Sequence, residues 1–249
     1  MGTSKSYSAS LTGQPQWGKL SRIVTTTCGS GTAPTSNLGK IVGRYVNVIG
    51  GASRAGSGHS KIGGRASLRT ALKLGGFINS FKTSGGNLEL ALQQTGLTDL
   101  STKSVSDIIN HLIEYCSGPA STIDDSAAKE ASSILLEELI ANAQSLEEMQ
   151  ERLQANLNKY SLEEIMIKYF SNYIHEHLSR MFYEKLIKEK GKTSCNNLFR
   201  NIKEFIIVRM GQMNKNNPLN NIDWGGGQGA RIIARIQQDV LTVFENYED

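Results

Sequence analysis

From Ser161 onward the chain carries one long amphipathic run. Leu162, Ile165, Met166, Tyr169, Phe170, Tyr173, Ile174, Leu178, Met181 and Phe182 recur at the i, i+3, i+4, i+7 spacing of a helix face. A strand cannot use that spacing, because its side chains change face at every residue. Ser161 and Glu164 supply a capping-box signature at the start of the run. Lys185, Lys188, Lys190 and Lys192 gather at its tail, where cations suit the negative end of the helix dipole.

The same start signal recurs at Ser104-Val-Ser-Asp107, Thr122-Ile-Asp-Asp125 and Ser145-Leu-Glu-Glu148. Ile108, Ile109, Leu112 and Ile113 supply an apolar face after the first, and Ile134, Leu135, Leu139 and Ile140 after the second. A short helix is predicted over 88–94. Another is predicted on Leu68, Ala71, Leu72, Ile78 and Phe81, closed by Ser84-Gly85-Gly86. Two more use Leu198, Ile202, Phe205, Ile206 and Met210, and then Ile233, Ile236, Val240, Val243, Phe244 and Tyr247. The fold class is therefore mostly α, with no convincing internal repeat.

The front of the chain is different. Residues 1–88 contain no aspartate or glutamate, eleven lysines and arginines, and 17 of the 25 glycines. The net charge of +4 therefore hides a +11 segment and a −7 remainder. Residues 1–36 are rich in Ser, Thr and Gly and are broken by Pro15 and Pro34, so they are expected to be flexible. The expected organisation is a flexible, basic, Gly/Ser-rich arm and loop over 1–63, followed by an α-helical domain over 64–249. Within the arm, Trp17, Leu20, Ile23 and Val24 read as a hydrophobic peg that fixes it to the body. The β-branched run 22–27 reads as a short strand. Residues 38–49 suit a helix or an extended segment, and 50–64 a glycine-rich loop.

Cys28, Cys116 and Cys195 are far apart and form no disulfide framework or CxxC pair, which fits a reducing cytosol. No signal peptide or membrane-length apolar run is present, so a cytoplasmic protein without a membrane partner is expected. The histidines of His175-Glu-His177 point about 200° apart on a helix, which is poor geometry for one metal. His59 and His111 have no evident ligand partners. Glu137-Glu138, Glu147-Glu148 and Glu163-Glu164 read as solvated helix faces and first-turn charges rather than acid–base pairs. No cysteine has neighbours that mark a nucleophile. Gly225-Gly-Gly-Gln-Gly229 reads as a hinge, since neither a Walker lysine nor a dinucleotide fingerprint accompanies it. No catalytic residue, metal or cofactor is predicted. The dispersed cations leave nucleic-acid binding through the basic arm as the alternative function. Protein docking through Arg54, Lys61, Arg65 and Arg69 is the favoured use of that charge.

The first residues are the sharpest functional clue. Removal of Met1 would expose the α-amine of Gly2, an unhindered nucleophile with polar Thr3, Ser4 and Ser6 behind it. Gly2 and Ser6 also satisfy the N-myristoylation pattern. The third reading is an ordinary processed terminus. Met1-Gly-Thr-Ser4, the Ser/Gly-rich arm, Gly50-Gly-Ala-Ser-Arg54 and Gly63-Gly-Arg65 together resemble the QatB proteins of the bacterial Qat anti-phage defence system. Pro15-Gln-Trp17 is the nearest equivalent of a Pro-x-Trp stretch in that family. The resemblance implies partnership with an ATPase, a QueC-like enzyme and a TatD-like nuclease. It also implies that the QueC-like enzyme joins a carboxylated deazapurine to Gly2, with Thr3 and Ser4 recognised beside it. The chain would then be a substrate rather than an enzyme.

Overall fold

The computed structural model describes residues 15–214, 227–245 and 247. Among these the chain forms eleven α-helices and no strand. They are α1 (Pro15–Gly29), α2 (Thr35–Val48), α3 (Gly51–Gly56), α4 (Arg65–Thr83), α5 (Leu88–Gln94) and α6 (Val105–Ser117). Then follow α7 (Ile123–Leu139), α8 (Leu146–Lys159), α9 (Leu162–Lys190), α10 (Lys192–Asn214) and α11 (Gly227–Glu245). The mostly α fold class is borne out.

The run after Ser161 becomes α9, the axis of the molecule. It packs against α7 and α10, with α11, α4 and α1 closing around it. The pattern in the sequence showed one apolar stripe. In the fold, Ile167, Ser171 and Asn172, which lie off that stripe, are buried as well. A helix enclosed by several neighbours buries more than one face.

Side-chain caps start helices α5 to α9. Ser104 with Asp107, Thr122 with Asp125, and Ser161 with Glu164 all form complete capping boxes. Ser145 caps the Glu148 N–H at 3.2 Å, but the Glu148 carboxylate reaches Gln144 N at 2.8 Å, one residue further back. Asn87 caps α5 through the Leu90 N–H at 2.9 Å.

Residues 15–63, expected in the arm, contain three helices whose apolar residues belong to the same core as the rest. Leu20, Val24, Ile41, Val42, Tyr45, Val46 and Ile49 are fully buried. Within the described residues, 15–63 thus pack into the same core as the helices after residue 63, and residues 1–14 lie outside them. The predicted peg is observed: Trp17 stacks on Phe182 of α9 with ring centroids 4.8 Å apart. The predicted strand at 22–27 is instead part of α1. There Leu20, Val24 and Cys28 bury one face at four-residue spacing, and the Thr26 hydroxyl bonds back to Arg22 O at 2.9 Å. Burial of that face overrides the β-propensity of the run.

Glycines let α11 approach this N-terminal layer. A Cβ on Gly43 would lie 2.7 Å from Phe244 O, and one on Gly56 would lie 2.6 Å from Gln238 Cα. Gly225 and Gly226 of the predicted hinge lie outside the described residues, and Gly227 begins α11.

Candidate functional site

Gly64 ends the glycine-rich loop in the left-handed region, at φ 93°. That conformation, which suits glycine, turns the chain into α4. Neither Gly50 before α3 nor Gly64 before α4 offers a side-chain cap. The caps come from distant helices. Asp124 of α7 accepts hydrogen bonds from Gly64 N at 3.2 Å and Ala66 N at 2.9 Å. Glu245 of α11 accepts one from Ala52 N at 3.1 Å. Carboxylates at helix N-termini meet both the unpaired N–H groups and the positive dipole end.

Asp124 also ties the loop to a buried polar chain. Tyr173 donates to it at 2.6 Å and accepts from Gly64 N at 2.7 Å. The His177 ring stacks on Tyr173 with centroids 5.5 Å apart, and His177 Nδ1 shares a 2.9 Å hydrogen bond with the Tyr45 hydroxyl. A Cβ on Gly63 would sit 2.8 Å from His177 Cε1, so this position is closed to a side chain. Nearby, Gln237 of α11 donates to Ala55 O at 2.7 Å and Gly64 O at 2.9 Å, and accepts from Ser67 at 2.9 Å.

Burial sets the protonation states of this chain. It pushes His177 down to about 4, and Asp124 and the Ile62 backbone oppose that shift only in part. It pushes the Tyr173 phenol well above its ordinary value, with Tyr45 and Asp124 acting in the same direction. At neutral pH His177 is therefore neutral and Tyr173 protonated. Both are closed to solvent, at 0% and 1% exposure. An Asp–Tyr–His set in the open would suit proton transfer. Here it holds the loop on α9.

On the outer side of this chain lies a cleft of about 1560 Å³. The 58–66 stretch and α4 form one wall; the start of α7 and the middle of α9 form the other. Lys61, Arg65 and Arg69 line it, as does His59, whereas Arg54 does not. Arg69 pairs with Asp125 across the cleft at 2.9 Å. Arg180 on the facing wall lies 3.4 Å from Glu130 and 4.0 Å from Glu176. Lys61 and Arg65 are exposed and make no ion pair among the described residues. Three of the four predicted docking cations thus come together. Gly2, Thr3 and Ser4 lie outside the described residues.

The predicted histidine pair is split as its spacing requires. His177 is buried against Tyr45. His175 contacts Glu176 at 3.0 Å and Phe199 O at 3.1 Å. Among the described residues no group of three His, Cys, Asp or Glu is placed to hold a metal ion. Sequence reasoning missed Gln237, whose signal was a polar residue beside Ile233, Ile236 and Val240 on an apolar face. Asp124 stood in the sequence only as part of the start signal Thr122-Ile-Asp-Asp125.

Fold and site define a helical protein whose most developed polar constellation is architectural and whose open cleft is lined by charged side chains. Over residues 50–244 the chain matches the family described as Qat anti-phage system associated protein QatB, and it belongs to that family. It is thus a component of the Qat anti-phage defence system, which implies partner proteins of that system. No curated protein and no solved structure gives a match. Among the described residues, no helix is long and apolar enough to cross a membrane.

Proposed function

We propose that this protein acts in Qat defence as a substrate and assembly component rather than as a catalyst. Its Gly2 amine attacks the ATP-activated carboxyl of a deazapurine held by a QueC-like partner and forms an amide as the activating group leaves, with Thr3 and Ser4 read beside it. It also assembles with the ATPase and the TatD-like nuclease of the same system. Membership of the QatB family is the observation that carries this reading. The architectural use of Asp124, Tyr173 and His177 supports it, because these groups are committed to holding the loop. Lys61, Arg65 and Arg69 along the cleft, with Arg54 on α3, offer cations for acidic partner surfaces.

Intact-mass measurement of the chain co-expressed with the other Qat proteins tests the proposal. The expected result is loss of Met1 and a gain matching one deazapurine, abolished by Gly2→Pro. A terminus that retains Met1 and gains no mass in every condition would sink it. A gain matching a fatty acyl chain would instead assign Gly2 to membrane anchoring.

A further inference from the structure

The first two helices after Gly2 in the sequence carry an unbalanced charge. Residues 15–48 hold Lys19, Arg22, Lys40 and Arg44 and no acidic residue. They form the α1–α2 hairpin, joined by the short connection 30–34. The Arg44 guanidinium donates to Lys19 O at 3.2 Å, which fixes the register of the pair. In an antiparallel hairpin, one turn forward on α1 lies opposite one turn back on α2. Arg22 and Lys40 therefore fall at the next level. Lys19 and Arg22 are exposed, and Lys40 and Arg44 are half-buried at the edge of α2. None of the four makes an ion pair among the described residues. The platform is anchored, because Trp17 stacks on Phe182 and Leu20, Val24, Ile41 and Val42 lie in the core.

We infer that the outer face of the α1–α2 hairpin, bearing Lys19, Arg22, Lys40 and Arg44, is a docking surface for an acidic face of the protein that acts on Gly2. This rests on the Gly2 reading above and adds the surface that delivers it. Two observations select the occupant. Among the described residues the face is cationic and without an ion-pair partner, so it fits a carboxylate-rich surface. Pro15 follows Gly2 by thirteen residues, a span of at most about 45 Å when extended. A partner held on the hairpin therefore has the Gly2 amine tethered within reach of its active site, and its capture becomes an intramolecular event at high effective concentration. The cleft cations stand elsewhere, on α4 and the loop before it.

The test uses the full chain co-expressed with the other Qat proteins, with copurification and intact mass as separate readouts. Lys19→Glu with Arg22→Glu is the charge-reversed variant, Lys19→Gln with Arg22→Gln the gentler one, and Lys61→Glu with Arg65→Glu the cleft control. Circular dichroism checks folding. If the reversed pair does not fold, the glutamine pair carries the test. The reversed pair is expected to lower retention of the Gly2-modifying partner about tenfold near 0.15 M salt, with the glutamine pair intermediate. Wild-type retention should fall as salt screens the contact. Unchanged retention and mass gain in a folded variant would overturn the docking surface and leave the Gly2 reading intact. Charge-dependent retention with no mass gain in the wild type would do the reverse. An equal loss in the cleft control would overturn the assignment to the hairpin. So would hairpin-dependent capture of a DNA duplex in place of a protein.

Discussion

The acid-free N-terminal helices and the acid-bearing C-terminal ones solve the same problem differently. Helices α5 to α9 each begin with an Asn, Ser or Thr whose side chain caps its own first turn. Helices α2, α3 and α4 begin at Pro34, Gly50 and Gly64, with no side-chain cap. For α3 and α4 the missing carboxylates arrive from the other part of the chain, through Glu245 and Asp124. Helices α5 to α9 are locally capped, whereas α3 and α4 depend on the body for their caps. The split between a +11 segment and a −7 remainder is thus partly a structural complement, met across helix interfaces.

The largest expected effect breaks that dependence. Asp124→Ala removes the acceptor for Gly64 N, Ala66 N and the Tyr173 hydroxyl, and should cost about 3 kcal/mol, read as a lowered denaturation midpoint. By contrast, Thr122→Ala removes a local cap and should cost about 1 kcal/mol. Equal losses would contradict the asymmetry.

Acid should act through His177. The unfolded chain binds its proton near the ordinary value of 6.5 and the fold only near 4. Stability should therefore fall as pH drops between those values, by up to about 3 kcal/mol. His177→Gln should flatten that slope in pH-dependent denaturation.

Glu245→Gln should cost about 1 kcal/mol or less, since the amide oxygen can still accept from Ala52 N and only the charge at the α3 N-terminus is lost. A second titration concerns Glu163, which is 5% exposed. Burial, with Glu164 beside it, pushes its carboxyl up to about 7. The fold thus holds its proton more tightly than the unfolded chain does, and stability is lost as pH rises from 4.5 to about 7. Glu163→Gln should accordingly raise the melting midpoint at pH 8 and leave it nearly unchanged at pH 4. A constant offset at both values would contradict the buried carboxyl.

The sequence spoke clearly where the physics is local. Caps lie within four residues of the groups they serve, and the 3.6-residue rhythm of Leu162 to Phe182 needs no tertiary knowledge. The N-terminal part was misread because its determinants are distant. Asp124 lies 58 and 60 residues from the N–H groups it caps, and Glu245 lies 193 from its own. Gly56 lay in an expected glycine-rich loop and Gly43 in a segment open to helix or extended chain, yet α11 packs closely on both. The β-branched run at 22–27 suggested a strand until the burial of Leu20, Val24 and Cys28 was visible. The family was recognised mainly on the opening residues, whereas the match covers 50–244 and so lies largely on the helical body. The cleft cations were legible as charge, but their meeting with Asp125 and α9 depended on the fold.

Native-state hydrogen exchange on the full chain tests the account most directly. If α1–α3 are a built layer of the body, the amides of Leu20, Val24, Val42 and Val46 should be protected to nearly the same degree as those of Ile174 and Leu178 in α9. Exchange of residues 20–56 at the rate of an unstructured peptide, with α9 still protected, would contradict it.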